Sequence, residues 1–193
     1  MTGNDIVDRK AAAVESNWKR KGFLEKIFTL QEQQYIHEAA LPEEMVWKLW
    51  SMKESAYKIY TRQYGGKFFA PQKFTCTILT RSTGKVDINN ISYYTTTIFA
   101  KNYIYSIARQ AEPLMTSFIN CCFTIPQPGH IKQQEFIHEK MITRYALVTG
   151  RTKKDMSIIK NKNGIPSLYC SNDNVRIPAS ITHHGRFAAF TIN

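Results

Sequence analysis

The sequence predicts an α+β fold of two similar halves, each with a helix packed on a small antiparallel sheet. Two segments, 42–62 and 132–148, have the apolar spacing of an amphipathic helix, and each is followed by short runs rich in β-branched and aromatic residues. The distance from the end of each helix to the last strand is about the same. Three prolines and a glycine mark a connector at 112–131. We therefore divide the chain into 1–111, this connector and 132–193.

The first half has a sequence of local signals that place its elements. Thr29 and Glu32 have the spacing of a capping box, which predicts the start of a helix. Pro42 and the two acids after it predict the start of the central helix, and Gly65 ends it. The predicted elements are a strand, a polar helix or loop, a short amphipathic piece, two helices and three strands of a meander: 2–8, 9–21, 23–29, 30–37, 42–62, 74–79, 92–99 and 103–108, with a turn at 82–84.

The second half is predicted to repeat this arrangement. A run at 118–124 inside the connector is apolar enough to be a strand. The elements that follow are a helix, three strands, a loop that contains two histidines and a final strand: 132–148, 156–160, 167–170, 177–181, 183–185 and 187–192.

Composition limits the classes of protein that fit this chain of 193 residues. It is 43% hydrophobic and 12% aromatic, and its apolar runs are too short to cross a bilayer. The N-terminus carries Asp5, Asp8 and Arg9 where a signal peptide would need an apolar stretch. We therefore expect a cytoplasmic protein without a membrane partner. The four cysteines lack metal-ligand spacing, so we expect reduced thiols.

Charge points to an anionic partner without choosing one. Lysine and arginine number 26 against 15 acids, which gives a net charge of +11. Such a surface attracts polyanions, although an ordinary solvated surface is the structural alternative. The sequence has no helix-turn-helix, zinc-finger or RNP signature, so nucleic acid is not the first expectation. An acidic protein or a ligand with several phosphates fits the charge equally well.

The central helix carries the residues of greatest chemical interest. Its apolar stripe contains Lys53, Glu54 lies at the border of that stripe, and Lys58 follows one turn later. A carboxylate between two ammonium groups suits the handling of a phosphate and a metal. In the structural alternative, Lys53 reaches water along the surface and the other two form an ordinary surface pair.

Five short motifs occur along the chain, and their order is informative. They are GNDI at 3–6, FLEKIFT at 23–29, WSMKESAYK at 50–58, NGIP at 163–166 and SITHHG at 180–185. Together they resemble the signatures of the 4′-phosphopantetheinyl transferase superfamily. The motif order is that of the holo-acyl-carrier-protein synthase form, whereas the length is that of the surfactin-synthetase-activating form, a pseudo-dimer within one chain. Joining 187–193 to 1–6 recreates the order of the long form. The chain thus looks circularly permuted, and we expect its ends to lie together.

The resemblance implies a reaction and its partners. A serine of an apo acyl or peptidyl carrier protein attacks the β-phosphate of coenzyme A, the phosphopantetheine arm is transferred, and adenosine 3′,5′-bisphosphate leaves. The family uses a divalent cation, Mg²⁺ or alternatively Mn²⁺. The carrier presents an acidic helix and can belong to fatty-acid, polyketide or nonribosomal-peptide synthesis. We expect a monomer.

The resemblance also implies roles for the reacting groups. Asp5 and Glu54 match the two carboxylates that bind the metal. Glu54 is in addition the candidate general base, acting directly or through a water. Lys58 matches the lysine that contacts the diphosphate and stabilises the leaving oxygen. Asp8 matches an acid of the short form, either supporting the metal ligands or purely structural, and Val7 stands where the long form often has a third acid.

Further residues match positions that contact coenzyme A: Lys53, Lys58, Arg144, Thr182 and His183. The family's Gly-Lys-Pro lysine is replaced here by Ile165, so we expect either that Lys160, Lys162 or Arg151 takes over its phosphate contact or that the affinity for coenzyme A is lower. Read without the family, the histidines are ordinary loop or core residues. Two rival functions stay open: a basic nucleic-acid-binding module, and an inactive homologue that binds coenzyme A or a carrier without turnover.

Overall fold

The structure, a computed structural model, describes residues 1–66, 68–110, 118–126 and 130–193. Its elements in chain order are β1 (Thr2–Asp8), α1 (Arg9–Glu15), α2 (Phe23–Ile27), α3 (Leu30–Glu38), α4 (Pro42–Tyr64), a 3-10 turn (Pro71–Lys73), β2 (Thr75–Ile78), β3 (Thr83–Ile88), β4 (Ile91–Phe99), β5 (Tyr103–Arg109), β6 (Ile119–Thr124), α5 (His130–Thr149), a 3-10 turn (Lys153–Asp155), β7 (Met156–Lys160), β8 (Pro166–Cys170), β9 (Val175–His184) and β10 (Phe187–Ile192).

The two halves have the same topology. The first sheet has the strand order β1-β5-β4-β3-β2 and the second has the order β6-β10-β9-β8-β7, with every neighbouring pair antiparallel. In each half an edge strand is followed by a long helix and a four-stranded meander, whose last strand pairs with the edge strand. The predicted α+β fold of two similar halves is confirmed.

Helix α4 packs on β1 and β5 because its apolar residues recur at helical spacing. Val46, Leu49, Met52, Ala56 and Ile59 are all fully buried in the core of the first half. At the helix that precedes it, the predicted capping box of Thr29 and Glu32 is present. A second core lies between α5 and the second sheet, and a smaller one lies between the two sheets.

Strand β1 is the edge strand of the first sheet and faces the second sheet, and it is buried along its whole length. One edge of β1 pairs with β5. Backbone N–H groups of its other edge donate to side chains of β9: Asn4 to Ser180 Oγ (3.3 Å), Ile6 to Thr182 Oγ1 (3.3 Å) and Asp8 to His184 Nδ1 (2.9 Å). Because alternate residues of a strand point to the same side, three side chains of β9 can follow three alternate N–H groups of β1. We call this arrangement the β9 ladder.

Two predictions about strands were wrong. Of the predicted turn at 82–84, Ser82 does lie in the bend between β2 and β3, but 83–84 begin the unpredicted strand β3, so the first meander has four strands. Its residues Gly84, Val86 and Ile88 are buried in alternation, and a Cβ at Gly84 would lie 2.5 Å from Met52 Cε, so packing explains this glycine. The predicted loop at 183–185 is the end of β9, and the turn to β10 begins only at Gly185.

The connector predicted at 112–131 falls partly outside the described residues, which exclude 111–117 and 127–129. Within it, the strand predicted at 118–124 is present as β6 and pairs with β10 at the edge of the second sheet.

The hydroxyls of Thr2 and Thr191 are 2.9 Å apart, so the first and last strands run together at the chain ends, as expected. Among the described helices, none has the length and apolarity that a membrane span requires. All four cysteines are free thiols.

Asp8 ties the start of the chain to its last turn. Its carboxylate accepts hydrogen bonds from the backbone N–H groups of Lys10 and Ala11 and so caps helix α1. It also accepts from the backbone and the guanidinium of Arg186, at 2.7 to 2.9 Å. The side chain of Asp8 is 1% exposed. The Arg186 guanidinium holds the pKa of this carboxyl well below its ordinary value, despite burial.

We predict that Asp8→Asn destabilises the fold by about 2 kcal/mol at pH 7, because the buried carboxylate loses its charge-assisted hydrogen bonds to the start of α1 and to the half-exposed Arg186. A depressed pKa adds stability that is complete above the ordinary value of 3.8 and is lost as pH falls below it. Urea unfolding at pH 7 and pH 3 should therefore show a difference between the wild type and the variant that shrinks at the lower pH. Asp87→Asn, which breaks a half-exposed pair with Lys85, should cost less than about 1 kcal/mol.

Candidate functional site

Elements of both halves meet at the carboxylate of Asp5. The ammonium of Lys58 in α4 donates to Asp5 Oδ1 at 3.1 Å and to the carbonyl of Asn4 at 2.7 Å. From β9 in the second half, Thr182 Oγ1 donates to the same Oδ1 at 3.0 Å. Asp5 is 8% exposed, so these hydrogen bonds are shielded from bulk water and are correspondingly strong.

Glu54 precedes Lys58 by one helical turn and lines one cavity together with Asp5 and His183. Burial raises the pKa of Glu54, and the negative charge of Asp5 raises it further, whereas Lys58 lowers it. The result is a pKa of about 7 against an ordinary value of 4.5. A carboxyl with this pKa is suited to accept or release a proton near neutral pH.

Three cavities adjoin along β9 and form one crevice. The first, about 470 Å³, is lined by Lys58, Arg62, Lys162 and the loop 163–166 among others, and we call it the cationic cavity. The second, about 340 Å³, is lined by Asp5, Glu54 and His183 and by three aromatic residues, and we call it the aromatic cavity. The aromatic residues are Phe23, Trp47 and Trp50. The third, about 210 Å³, is lined by His138, Lys160 and His183 among others and touches both.

Two buried donors without an acceptor among the described residues belong to side chains that line this crevice. They are Nε1 of Trp47, a residue that lines the aromatic cavity, and Nη1 of Arg62, a residue that lines the cationic cavity. A second guanidinium nitrogen of Arg62, Nη2, donates to the carbonyls of Pro166 and Ala179 and thus joins α4 to the second half. Sequence reasoning missed Arg62, although its position four residues after Lys58 placed it on the same helix face.

Of the residues proposed to replace the lysine at Ile165, two reach the crevice. Lys162 lines the cationic cavity beside Ile165, and Lys160 lines the third cavity beside His183. Arg151 is engaged by an ion pair with Asp173 elsewhere in the second half. Lys162 is therefore the nearest replacement by position.

Lys53 lies inside the first half. Its ammonium forms an ion pair with Glu32 at 2.7 Å and donates to the carbonyls of Pro71 (3.0 Å) and Phe74 (2.6 Å). A lysine has three donors, so all of them are used. The side chains of Lys53 and Glu32 are 2% and 0% exposed. A phosphate could bind Lys53 only at the expense of one of these contacts.

The other predicted site residues lie at different distances from the cluster. Arg144 is exposed on α5 and lines none of the three cavities. Val7, in place of a third acid, is 4% exposed in the core and also lines the aromatic cavity. The carboxylate of Asp8 is occupied by Arg186 and the start of α1. His184 accepts from the N–H of Asp8 and contacts Glu15.

The donor set fits a hard divalent cation that is completed by ligand oxygens. Mg²⁺ prefers oxygen and is usually held by one or two carboxylates together with phosphate and water. Asp5 and Glu54 are two carboxylates at one cavity, where burial and, second to it, the negative charge of Asp5 raise the pKa of Glu54, and a shared cation would offset both effects. A cluster of three or more acids, histidines and cysteines, as a metal site made only of protein would need, does not occur among the described residues.

The fold and the crevice thus define a protein of two α+β halves that can hold a phosphorylated ligand and a cation between them. A family model for the 4′-phosphopantetheinyl transferase superfamily matches residues 1–121. None of the curated proteins compared with the chain matches it. The match covers more than half of the chain and includes Asp5, Glu54 and Lys58. The chain belongs to the 4′-phosphopantetheinyl transferase superfamily, whose members use coenzyme A and a divalent cation.

We predict that Glu54→Gln makes the unliganded protein more stable at pH 8. Between pH 4.5 and about 7 the unfolded chain gives up this proton while the folded protein keeps it, so the wild type loses stability over that range and does not regain it above. The glutamine avoids a penalty on the order of 2–3 kcal/mol. The Tm of Glu54→Gln should lie above that of the wild type by about 5 °C at pH 8, and by less at pH 5. Glu43→Gln, at an exposed acid of the same helix, should show no such gain.

We predict that Lys53→Met destabilises the fold by about 3–5 kcal/mol, because it leaves Glu32 as an uncompensated buried charge. Adding Glu32→Gln should recover part of the loss. Lys73→Met, at an exposed lysine nearby, should change the unfolding free energy by less than about 0.5 kcal/mol. A Lys53→Met protein as stable as the wild type would contradict this structural role of the lysine.

Proposed function

We propose that this protein transfers the 4′-phosphopantetheine arm of coenzyme A to a serine of an apo carrier protein and releases adenosine 3′,5′-bisphosphate. This is the holo-acyl-carrier-protein synthase activity of the superfamily. The observation that carries the proposal is the meeting of Asp5, Glu54 and Lys58 at one crevice between the halves. Membership of the superfamily supports the reaction type.

Charge favours one direction for coenzyme A across the crevice. The nucleotide end carries the phosphates and suits the cationic cavity, where Lys58, Arg62 and Lys162 provide positive charge. The neutral arm suits the aromatic cavity, because the carboxylates there repel phosphate and Trp47 has a buried N–H that finds no acceptor in the described part of the chain. The diphosphate then lies at the boundary, beside Lys58, with His183 at the adjoining wall.

The residues divide the chemistry between them. Glu54 removes the proton from the serine hydroxyl, directly or through a water, and its pKa near neutrality suits this step. The serine oxygen forms a bond to the β-phosphorus, and the bond from that phosphorus to the bridging oxygen breaks. Lys58 donates to the leaving oxygen and stabilises its charge. A divalent cation held by Asp5 and Glu54, Mg²⁺ or Mn²⁺, would neutralise diphosphate charge when bound.

The proposal gives no role at the reacting groups to two residues named from the resemblance. Lys53 uses its donors within the first half, and Arg144 lines none of the three cavities. The carrier is expected to present an acidic helix, since the chain has a net charge of +11. We expect a monomer, because one chain supplies both halves of the crevice.

The test is transfer to a panel of apo carriers from fatty-acid, polyketide and nonribosomal-peptide systems, with coenzyme A and Mg²⁺. Mass spectrometry of the carrier should show the added phosphopantetheine. Glu54→Gln should lower kcat/KM by about 10²-fold or more, because the base is lost, whereas Glu43→Gln should keep the wild-type rate.

Two outcomes would contradict the proposal. Calorimetric binding of coenzyme A without a modified carrier anywhere in the panel would indicate an inactive homologue. Salt-sensitive binding to polynucleotides that needs neither Mg²⁺ nor Glu54, together with no transfer, would indicate a nucleic-acid-binding module.

A further inference from the structure

The hydroxyl of Thr182 is used twice inside the protein. Its oxygen accepts the backbone N–H of Ile6 at 3.3 Å, and its hydrogen is donated to Oδ1 of Asp5 at 3.0 Å. A threonine hydroxyl has a single hydrogen, so it cannot donate to a phosphate while this bond is made. The side chain of Thr182 is 6% exposed. This geometry differs from the coenzyme A contact that the resemblance implies for Thr182.

The donors from both halves converge on the same oxygen of the carboxylate. Lys58 and Thr182 both donate to Oδ1 of Asp5, and neither of them donates to Oδ2. Two donors from different directions on one oxygen fix the rotation of the carboxylate about its Cβ–Cγ bond. Groups that hold a ligand carboxylate in this way act on metal affinity without touching the metal.

We propose that Thr182 is a positioning residue, which orients the carboxylate of Asp5 for a divalent cation instead of contacting coenzyme A. The inference rests on the proposed function, because it takes Asp5 as a cation ligand. The backbone of Ile6, next to Asp5 in β1, holds the hydroxyl from the other side. The distance from Thr182 to the carboxylate is therefore set by the spacing between β1 and β9.

The β9 ladder supplies a matched control. Ser180 accepts the N–H of Asn4 at 3.3 Å, as Thr182 accepts that of Ile6, yet no hydrogen bond joins its hydroxyl to Asp5. Removing either hydroxyl takes one ladder bond away. Only the change at Thr182 also releases the carboxylate.

The experiment measures binding of Mn²⁺ to the protein saturated with coenzyme A, whose phosphate oxygens complete the site, by the loss of the free Mn²⁺ signal in electron paramagnetic resonance, with the same coenzyme A solution without protein as the blank. Thr182→Val should weaken Mn²⁺ binding by about tenfold or more, as loss of such partners does at metal sites. Thr182→Ser should stay within about twofold of the wild type, and Ser180→Ala should bind Mn²⁺ normally. Calorimetry with coenzyme A in chelator should show equal affinity for the wild type and Thr182→Val.

Each outcome decides the matter. Unchanged Mn²⁺ affinity in Thr182→Val, or weaker coenzyme A binding in chelator, would overturn the positioning role while leaving the transfer activity of the wild type intact. An equal loss in Ser180→Ala would assign the effect to the ladder alone. A wild type that neither binds Mn²⁺ nor modifies any carrier would instead contradict the proposed function. If Thr182→Val does not fold, Thr182→Cys keeps a weak donor and should bind Mn²⁺ with intermediate affinity.

Discussion

The backbone N–H groups on the edge of β1 that faces the second half donate hydrogen bonds to side chains. An edge strand with unpaired N–H groups is normally covered, paired or exposed to water. Here Ser180, Thr182 and His184 accept those N–H groups, and the second sheet can therefore meet the first without continuing it. The joint leaves room for a crevice beside it, because side chains rather than backbone span the gap. Asp5, in the middle of β1, is then reached from both halves.

The arrangement of the site costs free energy in the unliganded protein. Two carboxylates line one cavity, and the burial of Glu54 keeps it protonated up to about neutral pH. Buried charges of like sign are costly unless a cation or a ligand compensates them. N–H groups of Trp47 and Arg62, for which the residues that the structure describes offer no acceptor, add to the same imbalance. Such local conflicts are expected at functional sites, where a bound partner supplies what the protein lacks.

Much of the fold follows from local sequence signals, and much of the site does not. Helix α4 and the capping box at Thr29 were predictable because their partners lie within a few residues. Strand β3 was not, since its Gly84 and Asp87 are typical of turns and its place depends on packing against Met52. The two histidines before Gly185 resemble a loop, yet pairing with β10 extends the strand through them.

The site residues show the same limit over longer distances in the chain. The motifs identified Asp5, Glu54 and Lys58 by type and spacing, and the fold brings these residues together. The partners that define other roles are remote in sequence: Glu32 for Lys53, and Arg186 for Asp8. Spacing along a helix cannot tell whether an ammonium faces a ligand or a buried acid.

The buried pair of Lys53 and Glu32 has a mechanical consequence for the neighbouring residue. Successive residues of a helix point about 100° apart around its axis, so the anchoring of Lys53 in one direction determines where Glu54 points. Helix α4 cannot turn about its axis without drawing the ammonium away from its three acceptors. The ion pair thus fixes the rotation of α4 from inside the core, and with it the direction in which Glu54 points.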